Sequence, residues 1–139
     1  MNLPTTPQRW LLWVHQDERK HPVILAATAA AIGDLSVLEA HVGITILRLS
    51  QPGPKALPLM LITQTGGRNV QISLMGDLRR KGYVTEAPAV AGYRCSAWQA
   101  TSAGMNAFAE MEKRLEALIA KARPVNAADV LRDGRARSR

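Results

Sequence analysis

Apolar residues recur every three or four positions through most of this chain, which is the spacing of one face of an α-helix. The longest such run extends from Met105 to Ala122, and Thr101 stands where it can cap the amino end of that helix. We expect Pro124 to end the helix, because proline removes a backbone hydrogen-bond donor. A short helix over residues 127–132 and a disordered, arginine-rich tail are expected to follow.

Helix-capping and helix-breaking residues divide the first part of the chain into shorter helices. Thr6 can cap a first helix with Pro7 at its first position, and Ser36 and Glu39 have the spacing of a capping box. Gly82 is the type of residue that commonly closes a helix in a left-handed conformation. Together these signals predict helices over about 7–14, 22–32, 37–49, 58–63 and 69–81.

The spacing of apolar residues shortens towards two after Tyr83, which is typical of strands. Residues 83–86 and 95–100 predict two short strands, and the loop over 87–92 suits a hairpin. A helix, a short helix, a glycine-containing turn, a helix and a hairpin follow in the order of a winged helix-turn-helix. The predicted fold is therefore mainly α with a small β-hairpin, with further helices at both ends.

The helix predicted over 69–81 has two unlike faces. Its largely apolar stripe, expected to face the core, is Gln71, Leu74, Met75 and Leu78. The opposite stripe holds no bulky apolar group and consists of Asn69, Ser73, Gly76 and Arg80. A face that approaches closely and offers hydrogen bonds is what base reading requires. An ordinary amphipathic surface helix has the same pattern, so the helix alone leaves both interpretations open.

Composition favours one domain with a polyanionic partner. The 139 residues are 47% hydrophobic, enough to bury a core, and only 4% aromatic, so aliphatic side chains must fill it. Eighteen Lys and Arg against eleven Asp and Glu leave a charge of +7, which favours nucleic acid before membrane. One cysteine excludes a disulfide framework and a zinc site built on several thiolates.

Two short motifs flank the predicted hairpin. Lys81-Gly82 precedes it, Thr101-Ser102-Ala103-Gly104 follows it, and Arg94 stands seven residues before Thr101. With this spacing, residues 35–118 resemble the MarR family of winged-helix transcriptional regulators. That family has a Lys-Gly step at the end of its recognition helix and an Asp-x-Arg signature before a Thr-x-x-Gly motif. The resemblance covers more than half of the chain.

The chain departs from the family pattern at three points. Gly92 stands where the signature has Asp, so the acid that usually fixes the wing arginine is missing. The wing tip over 86–91 carries no Lys or Arg, and Gln71 occupies a position that is usually aliphatic. These changes bear on minor-groove binding more than on the fold.

The resemblance implies a homodimeric, sequence-specific regulator that binds double-stranded DNA at a roughly palindromic operator. The expected organisation is amino-terminal helices for dimerisation or packing (1–34), a DNA-binding core (35–104), carboxy-terminal dimerisation helices (105–132) and a basic disordered tail (133–139). The residues expected to contact DNA are Arg68, Asn69, Ser73, Gly76, Arg79, Arg80, Lys81 and Arg94. The residues expected at the dimer contact are Trp10, Trp13, Phe108, Met111 and Leu115.

Several alternatives stay open at this point. The two tryptophans can instead dock on the chain's own core, and Arg94 can form a salt bridge within the wing. The same fold also serves protein-interaction modules and replication or partition proteins. The family further allows a small-molecule effector between the dimerisation and DNA-binding parts, which the sequence does not identify.

Other candidate chemistry is weak. Cys95 could sense oxidants, although a passive strand residue is the simpler interpretation. His15, Asp17 and His21 have loose spacing for a metal, and surface polar residues explain them better. No nucleophile–base pair, phosphate loop or metal motif is evident, so we expect no enzymatic activity and no cofactor. Because the start is not that of a signal peptide and no apolar run is long enough to span a bilayer, we expect a soluble cytoplasmic protein.

Overall fold

The computed structural model describes residues 3–16, 22–63 and 66–134, with side chains up to Ala122. In these ranges the chain forms six α-helices and three short β-strands. In chain order they are α1 (Pro7–Gln16), α2 (Pro22–Ile32), α3 (Val37–Leu49), β1 (Leu57–Pro58), α4 (Leu59–Ile62), α5 (Arg68–Arg80), β2 (Val84–Ala87), β3 (Ala97–Ala100) and α6 (Ser102–Gly134).

The predicted helix ends are confirmed where a capping side chain defines them. The Glu39 backbone N–H donates to Ser36 Oγ at 3.1 Å, and the Ser36 backbone N–H donates to Glu39 Oε1 at 3.0 Å. This reciprocal pair is the capping box of α3. Thr6 Oγ1 accepts from the Arg9 N–H at 3.3 Å. Gly82, with φ 83°, follows α5 in the left-handed conformation.

The three strands form one small antiparallel sheet in the order β1-β3-β2. Val84 pairs with Ala100 and Ala87 with Ala97, which confirms the predicted hairpin. Strand β1 adds Leu57 opposite Trp98. Sequence periodicity missed β1 because two residues are too few to show alternation. The molecule is thus mainly helical with a small three-stranded antiparallel sheet, an arrangement compatible with a winged helix.

The core lies between α1, α3 and α6, with α2 packed against it. Phe108 of α6 packs closely on α3, where a Cβ at Gly43 would come within 2.6 Å of its ring. Tyr83 meets the Phe108 ring edge-on with centroids 5.8 Å apart. The Trp10 indole N–H donates to Thr28 Oγ1 at 3.0 Å, which satisfies two buried polar groups and ties α1 to α2.

The predicted dimer residues require a correction. Trp10, Phe108, Met111 and Leu115 are fully buried within this single chain, and Trp13 is half-buried with its ring against Trp10. Side chains that the chain's own core covers completely cannot also form a contact with a second copy. Docking on the core, the alternative interpretation of the tryptophans, is what the structure contains.

Helix α6 also differs from its predicted form. It does not end at Pro124 but continues to Gly134 as one helix, without a separate helix over 127–132. A proline removes one hydrogen bond from the ladder, which bends or weakens a helix without always ending it. The predicted disordered tail therefore begins inside α6, and its last five residues lie outside the described part of the chain. At 1.5 Å per residue, the 33 residues of α6 span about 50 Å.

Within the described residues, no single helix combines the length and the apolar character needed to cross a membrane. Helices α2 and α3 meet that requirement only when taken together, and the chain bends by 52° between them.

Candidate nucleic-acid interface

The two faces of α5 lie as their sequence predicts. Leu74, Met75 and Leu78 are buried against the core, and Gln71 at the edge of that stripe is half-buried. On the opposite stripe Asn69, Ser73 and Arg80 are exposed, and Gly76 is partly exposed. A Cβ at Gly76 would meet only Arg80 Nη1, at 3.7 Å, so the surface there is open. The polar stripe is therefore available to a partner.

The exposed side of α5 also carries a bulky apolar group that the two-stripe prediction missed. Ile72 is 53% exposed. At 100° per residue it lies beside the polar stripe, on the side of Arg68. The two stripes predicted from the sequence leave the positions between them, such as Ile72, unassigned. An apolar residue at one of those positions was the available signal.

Lys81 is not available as a phosphate contact in the way the sequence suggests. Its Nζ lies 2.8 Å from Oε1 of Glu39, whose side chain is 6% exposed. The same carboxylate accepts the Ser36 N–H of the capping box. Lys81 therefore neutralises a buried acid and joins the end of α5 to the start of α3, which is a structural role.

Two further arginines expected to contact DNA are paired at the surface. Arg79 Nη1 lies 2.9 Å from Glu86 Oε1, which links α5 to β2. Arg80 pairs with Asp77 of its own helix. Both pairs are exposed, and such pairs contribute little because water screens them. The two arginines remain available to exchange their carboxylates for a phosphate, but their charge is already balanced.

Arg68 and Arg94 differ from these three cations. Both are exposed, and neither makes an ion pair with any residue that the structure describes. The salt bridge within the wing that was the alternative for Arg94 is thus not found among the described residues. The two come from separate elements, the first turn of α5 and the segment before β3.

Both arginines line one open cavity of about 630 Å³, here called the groove. The groove is bounded by α4, the amino end of α5 and the segment before β3. The residues that matter for its chemistry are Met60, Arg68, Gln71, Ile72, Arg94 and Cys95. It combines two cations at its walls with aliphatic side chains, which suits an anionic partner with some apolar surface.

Gly92, at the position where the resembled signature has aspartate, lies in a turn whose backbone favours glycine. Gly92 has φ 90°, in the left-handed region that residues with a Cβ rarely adopt. With glycine here, position 92 offers no carboxylate to Arg94, which is exposed and lines the groove.

The Thr-x-x-Gly motif connects the sheet to the start of α6 through hydrogen bonds and close packing. The Thr101 hydroxyl donates to the Gly82 carbonyl oxygen at 2.6 Å and accepts the Gly104 N–H at 3.0 Å. Gly104 packs so closely on the Tyr83 carbonyl that a Cβ would overlap it. Thr101 and Gly104 therefore hold the end of the hairpin against the start of α6.

No metal site is found in the part of the chain that the structure describes, where no three His, Cys, Asp or Glu side chains come together. His15 is exposed, and Asp17 and His21 of the predicted trio lie outside the described residues. Cys95 is a free, partly buried cysteine at the groove.

Comparison with protein-family models, with curated proteins and with solved structures finds no match for this chain. Its function must therefore be argued from the geometry and charge of α5 and the groove.

Proposed function

We propose that this chain is a winged helix-turn-helix transcriptional regulator of the MarR type that binds double-stranded DNA. In this proposal α5 is the recognition helix and the β2–β3 hairpin is the wing. The observation that carries it is the convergence of Arg68 and Arg94 on one groove beside an exposed polar helix face. The two arginines come from separate elements and have no carboxylate partner among the described residues. Cations left unpaired beside a polar, open surface favour phosphate binding.

Each element then has a distinct task in the complex. Arg68 and Arg94 contact phosphates on either side of the groove and so set the position of α5. Asn69 and Ser73, near the amino end of α5, present hydrogen-bonding groups to base edges in the major groove. Gly76 allows the helix backbone to come close to the DNA, since no side chain stands there.

We also propose that two copies bind together on a roughly palindromic site, as a two-fold dimer would. Because four of the five side chains expected at the contact are fully buried, the outer side of α2 is the better candidate surface. This helix contains no charged residue, and Val23 on it is 80% exposed.

The test is a measurement of duplex-DNA affinity against salt concentration for the whole chain. Arg68→Ala and Arg94→Ala should each lower the slope of log affinity against log salt by about one unit, as expected for one lost phosphate contact. Arg9→Ala removes an exposed arginine of α1 and is the matched control, with an unchanged slope. A wild-type protein that fails to bind duplex DNA even at low salt would refute the proposal.

A winged-helix module that binds another protein is the second candidate function. It is favoured by exposed apolar side chains, Met60 and Leu61 on α4 and Ile72 on α5. Heparin chromatography distinguishes the two functions. Retention that falls steeply with salt supports DNA binding, whereas elution at low salt together with no DNA binding supports the protein-interaction module.

A further inference from the structure

Ile72 occupies an unusual place on α5. Single exposed aliphatic residues are common on protein surfaces, so its exposure alone means little. Of the residues three or four positions away on the helix, Met75 is buried, whereas Arg68, Asn69 and the partly exposed Gly76 lie at the surface. An isoleucine that is 53% exposed thus lies between an arginine without a described carboxylate partner, an amide and an open backbone. The face expected to meet DNA is therefore apolar at one defined position.

The major groove offers one apolar group that such a side chain can recognise. This is the 5-methyl group of thymine, whereas guanine is commonly read by an arginine or lysine fork and adenine by an amide. Arg79 and Arg80 further along α5 are already paired with carboxylates. Arg68 is assigned to a phosphate in the proposed function, so the groups left to read bases from the amino half of the helix include an amide and an aliphatic side chain, which match A·T base pairs.

We propose that Ile72 is a specificity-determining residue that contacts a thymine 5-methyl group, with Asn69 pairing to an adenine of the same or the adjacent base pair. This inference rests on the proposed function, because it requires α5 to enter the major groove. Residues three apart on a helix have Cβ atoms about 5–6 Å apart, a separation that suits one or two base-pair steps.

Val70 provides the matched control. It is also aliphatic and exposed, at 42%, but it lies on nearly the opposite side of α5 from Ile72. It packs over Gly66, where a Cβ would come within 2.8 Å of Val70 Cγ1. A packing role explains Val70, so its truncation should not alter the reading of thymine.

The experiment uses the duplex that the wild-type chain binds best in selection from a random pool. Each thymine of that duplex is replaced in turn by deoxyuridine, which removes only the methyl group. We expect one thymine in each half-site at which the replacement lowers wild-type affinity about fourfold, the effect of one buried methyl group. For Ile72→Ala the same replacement should have no effect, whereas Val70→Ala should respond like the wild type.

The outcomes separate this inference from the proposed function. Selective loss of the methyl effect in Ile72→Ala supports it. Salt-dependent binding with no uracil-sensitive position, or with equal sensitivity in Ile72→Ala, overturns the role of Ile72 and leaves DNA binding intact. Failure of the wild type to bind any duplex overturns both. Thermal melting of the variants shows whether each remains folded, as expected for exposed side chains.

Discussion

Gly104 lies at the start of α6, where the chain has no room for a side chain. A Cβ there would overlap the carbonyl oxygen of Tyr83, which is fixed in turn by the Thr101 N–H at 3.0 Å. Gly104→Ala must therefore move the sheet away from α6, and we expect a loss of at least about 2 kcal/mol in the free energy of unfolding. Denaturant unfolding followed by circular dichroism measures it.

Gly76→Ala is the matched control for this prediction. A Cβ at Gly76 meets only the flexible end of Arg80, so alanine fits and should stabilise α5 by about 0.5–1 kcal/mol. Equal losses of stability in both variants would mean that helix propensity, and not the close approach of Tyr83, governs the two sites.

We expect His41 to make the folded protein less stable in acid. Burial lowers the pKa of this imidazole below its usual value of 6.5, because the charged form loses hydration inside the protein. The unfolded chain then binds the proton more readily, so the stabilising contribution of the neutral form is present above about pH 6.5 and is lost as the pH falls. The melting temperature of the wild type should fall between about pH 7.5 and pH 5.5.

His41→Gln separates this effect from the titration of carboxylates, because glutamine has similar polarity and no charge in this range. The variant should lose less stability than the wild type over the same pH interval. An identical pH dependence of melting in the two proteins would show that His41 does not titrate between the folded and unfolded states in this way.

At the scale of elements, the link between α5 and α3 is a buried carboxylate and one lysine. The variant Lys81→Met keeps the aliphatic stem but leaves Glu39 without its cation. The Glu39 side chain is only 6% exposed, so water cannot replace that cation fully. We expect a loss of roughly 1–3 kcal/mol in unfolding free energy, because a buried carboxylate loses its cation and one of its two hydrogen-bond donors. The double variant Glu39→Gln/Lys81→Met should recover part of it, since glutamine can still accept the Ser36 N–H.

This prediction also tests the reassignment of Lys81. A variant Lys81→Met that keeps its stability but loses salt-dependent DNA affinity would return Lys81 to the phosphate contacts expected from its sequence. A variant that is less stable, yet binds DNA like the wild type where it is folded, agrees with the structural role.

Local signals predicted the elements whose ends are set by neighbouring residues. The capping box at Ser36 and Glu39 and the left-handed Gly82 each depend on a few consecutive positions, so the sequence suffices to place α3 and the end of α5. Strand β1 forms only because Leu57 meets Trp98, some forty residues away, and no local pattern reports that pairing. The continuation of α6 through Pro124 overrides a local breaking signal.

The sequence predicts the buried and exposed faces of α5, but not which of the cations of the candidate site form ion pairs. The stripe containing Leu74 follows from helical period alone. Which cations keep their charge unpaired depends on where Glu39 and Glu86 arrive in space, and that is set by packing between elements. From the sequence, Lys81, Arg79 and Arg94 are all expected to contact DNA, whereas in the structure Lys81 pairs with a buried acid, Arg79 with a surface acid, and Arg94 with no described carboxylate.

At the scale of the whole molecule, the proposed recognition of a palindromic DNA site depends on self-association. A charge of +7 repels a second copy, so a stable dimer needs an uncharged apolar contact. Helix α2 offers such a surface, because it has no ionisable residue and its outer positions are small or aliphatic. A dimer built there would leave α5 and the groove of both copies free.

Val23→Glu tests this arrangement, because Val23 is 80% exposed and a charge there adds no strain to the fold. We expect sedimentation velocity to show a wild-type dimer at micromolar concentration and Val23→Glu shifted towards monomer, with an unchanged melting temperature. Leu49→Glu changes an exposed leucine of α3 and is the matched control, which should remain dimeric.

Loss of the dimer should also weaken binding to a palindromic site far more than to a single half-site, since the second contact no longer benefits from a tethered partner. A wild-type protein that stays monomeric over this range would refute the dimer, and equal dissociation in both variants would move its interface away from α2.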